Sequence, residues 1–202
     1  PHGVATFEFP HLLNLIEQAQ FDTLYHEHFS YLSLNTVDRI FVANGLTLFD
    51  VEEHPTHGGS LRVFAQRADA GVHPRTERVL ELLDKELHAG MGNKAFYADF
   101  QAKAEHVKND FLSFLIEARR SGKIVAGYGA AAKGNTLLNF AGVRPDLLSC
   151  IVDKNPAKQG KYMPGSRIPI VDEQELYKIR PDYVVIFPWN LTKEIVMQLA
   201  PV

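Results

Sequence analysis

The stretch that decides the fold is residues 123–129, KIVAGYG, with its continuation AAAKGNTLLNFAG at 130–142 and LLSCIVD at 147–153. An apolar, β-branched run entering a glycine turn, followed by apolar residues at helical spacing, reads as a strand feeding a helix. LLSCIVD reads as a second strand ending in Asp153, DEQELYKIR (172–180) as another helix, 183–187 as a third apolar strand and 192–199 as a last helix. Strand and helix in strict alternation predict a parallel sheet wrapped by helices. Ligands of such sheets lie at the carboxyl ends of the strands.

Those ends carry the candidate binding residues. Gly127-x-Gly129-x-x-Ala132 follows a strand and opens a helix, where backbone N–H groups can hold a phosphate. Lys133 and Asn135 stand beside the turn. Asp153 closes the next strand 24 residues beyond Gly129, the separation at which a dinucleotide fold places its ribose-binding acid. The opposing reading is a tight turn with close strand-to-helix packing and no ligand. The Gly-Lys-Ser/Thr order of a P-loop is absent. Pro188-Trp189-Asn190 leaves the third strand; Trp189 is either core or contact, and Asn190 either touches a ligand or starts the last helix.

Working back toward the start of the chain, the pattern changes. Residues 75–88 are helical, with Val79, Leu80, Leu83 and Leu87 on one face. A longer helix over 95–121 aligns Phe96, Phe100, Val107, Phe111, Leu115 and Ala118, a stripe expected to serve as core or brace. Before residues 70–74, LTLFDVEEH (46–54) and SLRVFAQRA (60–68) read as an antiparallel pair. The loop between them, with His57-Gly58-Gly59-Ser60, is a hairpin connection whose His, Ser and Arg62 are also available to a polar ligand. VATFEF (4–9) is a further strand, closed by Pro10, and a helix follows over 11–18. Asn35 or Thr36 is expected to cap the helix carrying Val37, Ile40 and Phe41.

Composition narrows the function classes. With 21 basic against 24 acidic residues and no long charge runs, the chain offers no polyanion-binding surface, which argues against a nucleic-acid partner. No apolar run approaches the ~20 residues that span a bilayer. The single cysteine, Cys150, excludes an internal disulfide and a cysteine-based zinc site, and a cytosolic address is expected. A strand so soon after the first residue leads us to expect a piece of a longer protein.

The densest chemistry is at residues 21–34, FDTLYHEHFSYLSL, where Tyr25, His26, Glu27 and His28 stand side by side. Histidine titrates near neutrality, and an adjacent carboxylate orients it, so acid/base work is the favoured reading. A metal needs further ligands at suitable spacing, and no second His pair accompanies His26 and His28. In an extended loop, alternation places Tyr25 with Glu27 and His26 with His28.

With these residues laid out, the chain resembles the C-terminal half of the S-adenosylmethionine-dependent sugar C-methyltransferases, which methylate a ring carbon of nucleotide-linked 4-keto-deoxysugars. The resemblance runs through FEFPHL, FDTLYHEHFSYLSL, HGGSLRVFA, GYGAAAKGNTLLNF, VDKNPAKQGKYMPGSRIPI and FPWN, in that order. It implies an α/β chain in which residues 1–72 are the last strands of a truncated class I methyltransferase domain and 73–202 are a helical brace plus a Rossmann-like domain for the nucleotide sugar. VATFEFP would be the fifth methyltransferase strand, and the two later strands its last antiparallel pair. The resemblance points to Tyr25, Glu27 and His28 as catalytic, and the chemistry makes His28 the base. Ser60, Gly129, Ala132, Lys133, Asn135, Asp153 and Asn190 are the expected contacts to the nucleotide sugar. S-adenosylmethionine is the implied cofactor, with most of its site outside this sequence, and zinc is expected only in an N-terminal region that this sequence lacks. The rival readings are an NAD(P)-binding oxidoreductase domain, resting on the glycine turn and Asp153, and a non-catalytic interaction domain.

Overall fold

The computed structural model describes residues 3–199. Contacts divide them into two compact units, one of residues 3–21 and 27–102, the other of 22–26 and 103–199.

In the first unit, strands β1 (Val4–Pro10), β2 (Leu46–His54) and β3 (Ser60–Arg67) form an antiparallel sheet in the order β1-β3-β2. Period-two alternation turns Leu61, Val63 and Ala65 of the central strand inward, each 0% exposed. On β2, Leu48 and Val51 are an odd number of residues apart and are nevertheless both buried. A register shift between Leu48 and Asp50 reconciles them, the extra residue returning the strand to its core face. Helices α2 (Leu34–Ala43) and α3 (Glu77–His88) cover that face with Leu34, Val37, Phe41, Val79 and Leu82. Ahead of them α1 (Leu12–Glu17) buries Leu13, Leu15 and Ile16. The cap of α2 is Ser33, whose hydroxyl accepts the Thr36 N–H at 3.1 Å, and not the expected Asn35 or Thr36. An N-cap oxygen reaches the amide three residues on, so Thr36 receives the cap instead of making it. α3 follows the compositional break at 70–74 yet packs on β2 and α2, and the division by contacts falls at 102/103.

The second unit is a four-stranded parallel sheet, ordered β6-β5-β4-β7, from β4 (Val125–Tyr128), β5 (Ile151–Val152), β6 (Ile170–Val171) and β7 (Tyr183–Ile186). Alternation feeds two cores. Val125 and Ile151 join Leu115, Leu138 and Phe187 on one face, while Ala126, Tyr128 and Val152 join Leu176 and Ile195 on the other. The helices are α4 (Phe100–Arg120), which from residue 103 belongs to this unit, α5 (Ala132–Phe140), α6 (Gln174–Ile179) and α7 (Thr192–Leu199). This is the α/β, Rossmann-like sheet expected from the alternation. Two details differ. LLSCIVD contributes only two strand residues, and β6 was not foreseen, because two residues after Pro169 give no periodicity to read. The α4 stripe is core only toward its C-terminal end, at Leu115 and Ala118, with Phe111 packed edge-on against Phe187 at 6.5 Å; Val107 is exposed.

Candidate active site

The glycine turn at the end of β4 is shaped by close packing. Gly129 has φ +87°, and a Cβ there would meet the Pro188 ring at 2.5 Å; one on Gly127 would meet the Phe187 ring at 2.6 Å. The faces of this turn are thus filled by the chain leaving β7, and the glycines serve close approach of backbone and side chain.

Asp153 is corrected. It is 8% exposed, and its carboxylate accepts the Ala130 N–H at 2.8 Å, the Asn155 N–H at 2.9 Å and the Lys158 ammonium at 3.0 Å. Burial alone would push this carboxyl up, but those donors outweigh it and hold it below the usual carboxylate range. Its acceptor sites tie β5 to the glycine turn, so it is not available to a ribose. The dinucleotide reading loses its acid by the same observation.

Lys133, expected as a ligand contact, is turned inward and meets the exposed Asn190. Lys133 is 5% exposed, donates to Asn190 Oδ1 at 2.9 Å and lies 4.1 Å over the Trp189 ring. Trp189 Nε1 in turn donates to Asp22 Oδ2 at 2.7 Å. Burial lowers the Lys133 ammonium and raises the Asp22 carboxyl, with the charge of each working against its shift. This cluster locks residue 22 of the Tyr-His-Glu-His segment to the turn that ends β7. Its members were visible singly in the sequence, but their association was not, since 167 residues separate Asp22 from Trp189.

Beside this cluster lies a pocket of about 370 Å³, lined at the start of α5 by Ala130, Ala131, Ala132 and Asn135, and also by Tyr25, Lys158 and Lys161. Ala131 caps α5 without a side-chain hydrogen bond, and the start of a helix favours negative charge. Two lysines and a helix N-terminus around one cavity suit a phosphate-bearing ligand. Ala132 and Asn135, expected as contacts to the nucleotide sugar, and Tyr25, expected as catalytic, all line it. Lys158 and Lys161 were not among the expected residues, although both lie in the segment VDKNPAKQGKYMPG.

Glu27 and His28 belong to the first unit. Glu27 is exposed and His28 half-buried. The His28 ring stands edge-on to two others, Tyr31 with centroids at 6.3 Å and His57 at 5.8 Å. Ser60 is also corrected: it is 1% exposed and its hydroxyl donates to the Thr56 carbonyl at 2.9 Å, which closes the loop between β2 and β3 and leaves nothing for a ligand. Among the described residues no group of three or more His, Cys, Asp or Glu could hold a metal ion, and no helix is long and apolar enough to cross a membrane.

Residues 55–202 match the family described as the C-methyltransferase C-terminal domain, and the chain belongs to that family. It is similar to C-methyltransferase NovU of Streptomyces niveus, with 38% identity over 196 residues that make up 97% of this chain and 46% of that protein. The chain therefore spans about half the length of that curated relative. The residues present do not fit S-adenosylmethionine. The Gly-x-Gly sequences at 90–92 and 127–129 follow His88 and Val125 where a cofactor loop has an acid, and the faces of the second are filled by Phe187 and Pro188.

Proposed function

We propose that this chain serves an S-adenosylmethionine-dependent C-methyltransferase acting on the carbon beside the ketone of a nucleotide-linked 4-keto-deoxysugar. The observation that carries the reading is the pocket lined by the start of α5, by Tyr25 of the Tyr-His-Glu-His segment and by two lysines. Such a pocket suits the diphosphate of a nucleotide sugar, with Tyr25 toward the sugar.

The chemistry follows from the groups. The ketone acidifies the neighbouring C–H, an imidazole nitrogen of His28 takes that proton, and the electron pair passes to the ketone oxygen as an enolate. The Tyr25 hydroxyl donates a hydrogen bond to the enolate oxygen. Glu27, adjacent in sequence, orients His28. In the enzyme this chain serves, S-adenosylmethionine would supply the methyl group, its S–CH3 bond breaking as the bond to the activated carbon forms and S-adenosylhomocysteine leaving as the neutral thioether. In this reading residues 1–72 belong to the methyl-transfer part and 73–202 to the nucleotide-sugar part, working in the cytoplasm.

Two experiments test it. Titration of the protein with thymidine diphosphate should show saturable binding that NADH does not compete away; no binding at millimolar ligand would remove the nucleotide reading. In the full-length enzyme, His28→Ala should abolish turnover, and turnover within a few-fold of wild type would end the assignment of the base.

A further inference from the structure

We propose that His57 is a positioning residue for the reaction, holding the His28 ring in its working orientation; this rests on His28 being the base. The first observation is the ring contact, with centroids 5.8 Å apart and planes at 82°. With Tyr31 on the same imidazole at 6.3 Å and 74°, the His28 ring is bracketed by two edge-to-face partners.

The second observation is the backbone beneath His57. It sits at φ 56° and ψ 15°, in the left-handed region that a side chain other than glycine occupies at a cost. The turn around it is held by neighbouring contacts. The Gly59 N–H donates to Thr56 O at 2.9 Å and the His11 N–H to Gly59 O at 2.9 Å. The Gln20 side chain donates to Gly58 O at 2.9 Å, and the Asn14 side chain fills the space a Cβ on Gly59 would need. The His57 side chain is exposed and belongs to none of the three cores. A glycine would suit the turn better. The residue present is a histidine whose ring meets that of His28. Strain kept by an over-determined frame, beside a reacting group, is the pattern of a residue retained for function.

The physical role is orientation. A base must direct its lone pair along the C–H bond, and an imidazole on a loop turns about its own side-chain torsions unless neighbouring rings restrict it. Loss of the bracket lowers the fraction of encounters that lead to proton transfer without weakening substrate binding.

The test uses the full-length enzyme with His57→Gly, which removes the ring and relieves the backbone. Tm is expected to hold or rise, KM to stay within about threefold, and kcat to fall ~10- to 100-fold. His57→Phe, which restores a ring edge, is expected to recover most of the loss. The His28 ring-proton resonances should move in His57→Gly and return toward wild type in His57→Phe. Wild-type kcat in His57→Gly, with His28→Ala inactive, overturns the proposal and leaves the base assignment standing. Wild-type turnover in His28→Ala overturns both. A fall in Tm alongside the loss of activity, or no recovery by His57→Phe, shows a role other than ring contact and also overturns it.

Discussion

Glu86 offers the sharpest stability test. It is 1% exposed on α3, and its carboxylate accepts the Leu34 N–H at 2.6 Å, the Asn35 N–H at 2.9 Å and His11 Nε2 at 2.8 Å. The first two are unsatisfied donors at the start of α2, directly after the Tyr-His-Glu-His segment; the third holds the residue preceding α1. One buried side chain therefore pins three elements. Glu86→Gln keeps the volume but replaces charge-assisted bonds at a helix N-terminus by neutral ones and turns an amide N–H₂ toward a donor. The expected cost is about 1–3 kcal/mol. Glu86→Ala leaves two amides and His11 without an acceptor, at about 3–5 kcal/mol, a large share of the ~5–15 kcal/mol that holds a domain. Glu81→Gln, exposed on the same helix, should stay within about 0.5 kcal/mol of wild type. Urea unfolding gives the ranking, and amide hydrogen exchange at residues 34 and 35 localises it. Equal midpoints for Glu86→Gln and Glu81→Gln, with unchanged protection of those two amides, would refute the reasoning.

Three further outcomes are expected. The Asp153 carboxyl is held low in the fold, so its contribution is complete above the unfolded value near 3.8 and lost as pH falls through the lower folded value; Asp153→Asn should cost about 1–3 kcal/mol at pH 7 and lose less than wild type between pH 5 and pH 2 in urea midpoints. Gly129→Ala adds a left-handed alanine to a contact with Pro188, and a loss of about 2–5 kcal/mol in thermal unfolding is expected; a loss under ~0.5 kcal/mol would show that the turn relaxes freely. Trp189 is the only tryptophan in the chain, so Asp22→Ala should red-shift its emission while Asp22→Asn, which keeps an acceptor for Nε1, should not; identical spectra for all three proteins would deny the Asp22 contact in solution.

The fold was legible where periodicity is long. The alternation after residue 123 and the paired strands of residues 46–67 announced their architecture because each run shows several periods. β6 escaped because two residues beside Pro169 show none. The site was legible by residue type but not by direction. Gly129, Lys133 and Asp153 are the residues a phosphate-binding turn would use, and all three are instead packed or hydrogen-bonded within the fold. Nothing local distinguishes a carboxylate that meets a ribose from one that accepts Ala130 and Asn155. The difference lies in which partners the tertiary fold supplies. Likewise His57 looked like part of a hairpin loop until its ring was found against His28.

The same distinction predicts which lysine of the pocket would bind a phosphate under the proposed function. Lys158 Nζ already donates to the Ala130 carbonyl at 2.9 Å and to Asp153 Oδ2 at 3.0 Å, so it closes the pocket wall as much as it faces the cavity. Lys161 lines the same cavity, is exposed, and takes part in none of the ion pairs among the described residues of this unit. Lys161→Ala should therefore weaken thymidine diphosphate by the worth of one charge-assisted bond, about 1.5–3 kcal/mol or ~10- to 150-fold in Kd, with unfolding unchanged. Lys158→Ala should weaken binding and also lower the unfolding midpoint, because it leaves the buried Asp153 with one donor fewer. Calorimetric titration and urea unfolding on both variants separate the two roles. If Lys161→Ala binds as wild type while Lys158→Ala loses affinity at full stability, the anion sits against the wall lysine, and the division argued from their hydrogen bonds is wrong.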